Sequence, residues 1–139
     1  MPVSPYLHFQ GNCREAMAFY QQLSGGELSL TTWAEMPGGG KVPGQEAKIM
    51  HAELRFGGTV LMGSDPPQEH YRRPQGFAVN WTAENPADAE RIFAALAQDG
   101  QVGMPLGPTF FAARFGMVVD RFGVPWIVYA HPVATDAAR

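Results

Sequence analysis

One short run of this sequence occurs twice, and a chain that repeats itself this way is expected to fold twice. Asn12-Cys13-Arg14-Glu15-Ala16-Met17-Ala18-Phe19-Tyr20-Gln21-Gln22-Leu23 lies over Asn85-Pro86-Ala87-Asp88-Ala89-Glu90-Arg91-Ile92-Phe93-Ala94-Ala95-Leu96. The shared features are an Asn, an acidic residue, an Ala, an aromatic ring and a Leu. Further on, Arg55-Phe56-Gly57 recurs as Arg121-Phe122-Gly123. Two copies imply a pseudo-twofold fold with a seam between modules, a place where small-molecule pockets concentrate. The helix match is offset by 73 residues and the Arg-Phe-Gly match by 66. The difference falls in the longer glycine-rich loop of the first module, where an insertion costs little.

Each copy reads as β-α-β-β-β. Pro5 to Gln10 is a short apolar strand ended by Gly11-Asn12. Asn12 is placed to cap a helix, with Glu15 three residues on as in a capping box. Ala16, Phe19, Tyr20 and Leu23 recur at helical spacing, and Gly25-Gly26 stops the helix. Strands follow at 28–34, 48–56 and 59–62, the last two joined at Gly57-Gly58 as a hairpin. Along the middle strand, Met50, Ala52 and Leu54 fall on one face and Ile49, His51, Glu53 and Arg55 on the other. The second copy gives strands at 77–83, 101–104, 110–120 and 124–129. Its helix is capped by Asn85, with Pro86 in the first turn. Module boundaries fall at about 1–65 and 75–131. The Pro-rich stretch 66–74 connects them.

Composition narrows the function classes. A chain of 139 residues with 45% hydrophobic content suits one compact domain. A net charge of -3 leaves no electrostatic footprint for nucleic acid. No apolar run approaches the roughly 20 residues that span a bilayer, and the start Met1-Pro2-Val3-Ser4-Pro5 lacks the features of a signal peptide. One cysteine, Cys13, makes no internal disulfide, in keeping with a cytoplasmic home. At a helix N-terminus the dipole lowers a thiol pKa, but Cys13 has no histidine nearby in sequence and reads as passive.

The ordered set Pro5-Tyr6-Leu7, Phe9-x-Gly11-Asn12, Glu15-Ala16, Phe19-Tyr20, Lys48-Ile49-Met50-His51-Ala52-Glu53-Leu54, Met62-x-Ser64-Asp65 and Asp120-Arg121-Phe122-Gly123-Val124-x-Trp126 resembles the vicinal oxygen chelate superfamily. That group includes glyoxalase I, the fosfomycin and bleomycin resistance proteins and the extradiol dioxygenases. The PhnB-like branch is the nearest likeness. The resemblance implies an α+β fold: tandem βαβββ modules forming a curved mixed-sheet cup, with the helices on its outer face. It also implies a homodimer. Some members of the branch are described as ubiquinone-pathway methyltransferases. No glycine-rich loop here is of the kind that would hold the methyl donor, so that activity is not carried over.

The superfamily holds a divalent metal as a Lewis acid, with ligands from the first and last strands of each module. The first-strand ligand lies seven residues before the Asp/Asn that precedes the helix. The last-strand ligand lies four after the hairpin glycine. Counting places these at Pro5, Leu61, Ala78 and Ile127, none of which binds a metal through its side chain. No cofactor is therefore expected. A register slip of one residue would exchange the faces and undo this count. By the same count His8 matches Trp81, and both point to the helix side.

The parity rule then assigns Leu7, Phe9, His51, Glu53, Thr59 and Leu61 of module one to the cup. From module two it assigns Ala78, Asn80, Thr82, Phe115, Met117, Ile127 and Tyr129. His51 and Glu53, two apart on one strand, share a face. A carboxylate beside an imidazole raises the histidine pKa and fixes its tautomer, which suits a general base. The plainer reading, a polar patch that orders the mouth of the sheet or a ligand, or sits in a dimer interface, is the favoured one. Phe9, Asn80, Phe115, Met117 and Tyr129 are the candidate ligand contacts. Each also has an ordinary reading, as core packing or as a partner for backbone groups. The leading reading is a PhnB-like protein that binds an unidentified small molecule without a metal. An alternative is a metal-independent enzyme using His51 and Glu53 as acid and base. A second is a divalent-metal-dependent lyase, transferase or dioxygenase.

Overall fold

A computed structural model describes residues 2–37 and 44–132. The glycine-rich stretch 38–43, assigned above to a loop, lies outside the described residues. The chain divides into two compact units, Met1–Arg73 and Pro74–Arg139. The first contains β1 (Tyr6–His8), α1 (Cys13–Ser24), β2 (Glu27–Thr32), β3 (Ile49–Phe56) and β4 (Thr59–Ser64). The second contains β5 (Val79–Ala83), α2 (Pro86–Ala97), β6 (Gln101–Gly107), β7 (Arg114–Val119) and β8 (Pro125–Ala130). Short 3₁₀ turns occupy Trp33–Glu35 and Gln68–His70. The class is α+β, and each unit is β-α-β-β-β.

Both sheets are mixed and four-stranded, with orders β1-β4-β3-β2 and β5-β8-β7-β6. The first strand of each runs parallel to the last, and the other pairings are antiparallel. One helix covers one face of each sheet. Cys13, Ala16, Met17, Tyr20 and Leu23 form the buried stripe of α1, and Ala89, Ile92, Phe93 and Leu96 that of α2. Beneath α1 lie Leu7, Phe9, Ala52, Leu54 and Leu61, all buried. Beneath α2 lie Trp81, Val118, Trp126 and Val128, also buried. Each such large apolar side chain contributes about 1.5–3 kcal/mol when fully buried. The opposite face of each sheet is partly open.

Internal pairings align the two modules without reference to sequence. Tyr6 pairs with Met62 as Asn80 does with Ile127. Glu53 pairs with Met62 as Met117 does with Ile127. Gly26 and Gly100 provide a check. A methyl on either would strike the carbonyl oxygen of Arg55 or Val119 respectively, so Arg55 and Val119 are equivalent too.

This alignment corrects the sequence reading in module one. Between the first strand and the helix, module one has Gln10 and Gly11 where module two has only Glu84. Gly11 turns the chain there with φ of 91°. The extra residue shifts β1 by one relative to the count. Leu7 is 2% exposed and Phe9 0%, both on the helix side, while Tyr6 and His8 face away from it. Trp81 keeps its expected helix-side position.

The Arg-Phe-Gly repeat is also not structurally equivalent. Arg55 and Phe56 belong to β3, whereas Arg121 to Gly123 form the β7–β8 turn. Leu61 is consequently a helix-side residue, 1% exposed, and Met62 takes its place on the open face. Ile49 is buried as well, contrary to simple alternation. β3 carries one extra residue, Met50, between the pairs Thr31–His51 and Thr32–Ile49, and such an irregularity reverses the faces beyond it.

Candidate functional site

In module two the expected residues share the open face. Asn80 and Thr82 lie on β5, Phe115 and Met117 on β7, Ile127 and Tyr129 on β8. Asn80 Nδ2 donates to Thr82 Oγ1 at 2.9 Å, so these two polar groups satisfy each other in part. Phe115 and Met117 sit opposite Tyr129 and Ile127. The ring of Tyr129 stacks on Phe111, 6.5 Å between centroids and 11° between planes, and its hydroxyl donates to the Phe111 carbonyl at 3.3 Å. Phe115 meets the same Phe111 edge-on at 5.1 Å. Toward the β7–β8 turn the face opens into a groove of about 800 Å³, lined among others by Phe77, Ala78, Val102, Met117, Val119 and Ile127. All of its described lining residues are uncharged, and all belong to module two. Of the candidate ligand contacts, only Met117 lines it.

The open face of module one is different in kind. His51 and Glu53 do project together, and they join a longer polar chain. Tyr6 Oη lies 3.0 Å from His51 Nδ1, and His51 Nε2 lies 2.9 Å from a Glu53 carboxylate oxygen. The other Glu53 oxygen accepts from Arg55. A carboxylate only accepts, so Nε2 carries a proton, and in the neutral imidazole Nδ1 then accepts from the Tyr6 hydroxyl. The hydrogen bond from His51, helped by the charge of Arg55, holds the Glu53 carboxyl below its usual range against a smaller opposing effect of burial. His8 meets the Tyr6 ring edge-on at 5.6 Å. Phe9 takes no part, since it is packed under α1.

Tyr6 escaped the sequence reading because the slip in β1 put it on the wrong face. Two residues rather than one between strand and cap was the available signal. Cys13 is also corrected: it is fully buried, and burial together with the negative charge of Asp65 pushes its thiol pKa upward, not down.

The metal positions move with the register. The open-face equivalents of Ala78 and Ile127 in module one are Ser4 and Met62, not Pro5 and Leu61. The corrected set supplies a hydroxyl, a thioether and two hydrocarbon side chains, which does not fit a hard divalent cation. Among the described residues, no three His, Cys, Asp or Glu side chains gather as a metal site.

Residues 2–129 match the family model described as 3-demethylubiquinone-9 3-methyltransferase. The chain belongs to this family. Protein YjdN of Escherichia coli is 35% identical over 138 residues, covering 92% of this chain and 94% of YjdN. The solved structure of PA1353 from Pseudomonas aeruginosa is 44% identical, with a TM-score of 0.87 over 94% of this chain and 98% of that one. The PhnB protein of Bacillus cereus is 29% identical, with a TM-score of 0.79 over 94% and 99%. Fosfomycin resistance protein FosX of Listeria monocytogenes, solved with Mn(II) and a dihydroxypropylphosphonic acid, shares the fold alone: 8% identity and a TM-score of 0.64 over 100% and 98%. The fold is therefore that of the FosX-type neighbours, and the family is PhnB-like.

Proposed function

We propose that this protein is a vicinal oxygen chelate superfamily member that binds a small, uncharged, largely apolar molecule on the open face of module two, without a metal. The groove beside Met117 and Ile127 carries this reading. Its volume is that of a typical small-molecule site, and its described lining is uncharged and, apart from Gln101, made of apolar side chains and glycine. The corrected donor set, Ser4, Met62, Ala78 and Ile127, supports the metal-free part.

A thermal-shift screen against neutral metabolites and antibiotics tests it, since a ligand of the native state stabilises by mass action. Hits that raise the melting temperature should lose their effect in Met117→Arg and in Ile127→Asp. Hits that survive both substitutions would remove the groove as the site. Metal analysis of the purified protein checks the second part: a stoichiometric divalent ion would overturn it.

A second reading is favoured by one observation, the hydrogen-bonded His51–Glu53 pair. It makes the protein a metal-independent acid–base enzyme. Replacing His51 by Ala should then abolish turnover while leaving ligand stabilisation intact. A pure binding protein has no turnover to lose and should also keep most of its ligand stabilisation. Methyl transfer, the reaction in the family's description, is not favoured. Neither strand-to-helix turn, Gln10-Gly11-Asn12 or Glu84-Asn85, is the glycine-rich kind that cradles a nucleotide-like donor. We further propose a cytoplasmic homodimer, to be checked by light scattering of the purified chain.

A further inference from the structure

We infer that Tyr6 is the proton-transfer group of module one, with His51 and Glu53 as positioning residues behind it. The inference deepens the acid–base reading and rests on it, not on the groove. Both ring nitrogens of His51 are engaged, Nε2 with Glu53 and Nδ1 with Tyr6. In this arrangement the imidazole nitrogens reach a ligand through the phenol. Tyr6 is 43% exposed, and its hydroxyl is one end of the chain Tyr6–His51–Glu53–Arg55. With its proton directed at His51, the phenol oxygen keeps free lone pairs for a ligand.

The arrangement is the logic of a nucleophile, base and orienting acid transferred to a phenol. An acidic hydrogen of the ligand passes to Tyr6 Oη. The Tyr6 proton passes to His51 Nδ1, and the Glu53 carboxylate balances the imidazolium. Returning the proton to a different ligand atom reverses both transfers and leaves the protein unchanged. The ligand class this fits is a carbon acid next to a carbonyl, or an enol, which needs one proton moved and no redox partner. His8, edge-on to the Tyr6 ring, and Met62, paired with Tyr6 across the sheet, flank the hydroxyl's strand position.

The probe is benzenesulfonyl fluoride, which an activated phenol attacks with formation of an O–S bond and loss of fluoride, its proton going to the neighbouring base. Peptide mass spectrometry on the full chain should find Tyr6 labelled on the order of ten-fold or more faster than Tyr71, with His51→Phe removing the advantage. Glu53→Gln should give an intermediate rate and serves as the milder variant if His51→Phe fails to fold. Nitrogen-15 NMR should show His51 as the Nε2–H tautomer. Labelling of Tyr6 no faster than Tyr71 would overturn the proposal. If that occurs with the Nε2–H tautomer in place, His51 itself remains available as the base and the acid–base reading stands. A Nδ1–H tautomer would overturn the relay outright.

Discussion

The two modules start their helices by different means. In module two the cap is local: Asn85 Oδ1 accepts from Asp88 N at 2.8 Å, and Asp88 accepts from Glu84 N at 3.1 Å in return. In module one Asn12 stands in the same place, yet its side chain makes no cap and its buried Oδ1 has no partner among the described residues. The cap comes instead from Asp65, at the far end of β4. This carboxylate is 1% exposed and accepts from Cys13 N at 2.9 Å and Ile49 N at 3.0 Å. The equivalent of Asp65 in module two is Ala130, which has no carboxylate to offer. Module two places its own buried carboxylate, Asp120, in the β7–β8 turn, where it accepts from Phe122 N, Val124 N and Trp126 Nε1 at 2.8 to 3.0 Å. One topology thus tolerates two wirings, because what must be met is the free N–H at the helix start, not a particular donor of the oxygen.

The contrast can be broken most sharply at Asp65. Asp65→Ala leaves two buried N–H groups without an acceptor. It should cost about 3 to 5 kcal/mol in denaturant unfolding, at the charge-assisted value for each bond. A loss below about 1 kcal/mol would mean that water or Asn12 takes over the cap. Next come Gly26→Ala and Gly100→Ala. Each places a methyl against a strand carbonyl, and the losses should match at about 1–3 kcal/mol. Unequal losses would undo the alignment of Arg55 with Val119. Smaller again is the pair of caps: Asn85→Ala should lower stability by about 1 kcal/mol and Asn12→Ala by almost nothing. Equal effects would show that Asn12 caps after all.

The weakest effect concerns the open faces, polar in module one and apolar in module two. Glu53 has a depressed pKa when folded. Its contribution is therefore fully present above the ordinary carboxylate pKa of about 4.3 and is lost as pH falls through the lower folded value. Glu53→Gln should lower stability slightly at neutral pH and flatten that acid limb of the stability–pH curve, so that variant and parent converge as Glu53 protonates.

Much of this was legible in the residues. Helical spacing of Ala16, Phe19, Tyr20 and Leu23 located the first helix, and all of these but Phe19 are buried. The Gly57-Gly58 signal located a hairpin. The open face of module two followed from alternation alone, because nothing interrupts the count between Ala78 and Asn85. Module one defeated the same count twice. One residue is added before α1, and the two hairpins differ by one residue in length. Each addition shifts a strand by one, moving Tyr6 out of the core and Phe9 and Leu61 into it.

The sequence by itself determined the two-module plan, the order of elements and which helix side chains turn inward, since these depend on local spacing. The tertiary structure decided which face of β1 and β4 is open, that Asp65 caps α1, and that Tyr6 completes a chain with His51 and Glu53. The reason is that a period of two fixes the alternation of a strand but not its phase. Pairing sets the phase: Tyr6 against Met62, Leu7 against Gly63 and His8 against Ser64. An inserted loop residue is invisible to the pattern and reverses every side chain beyond it.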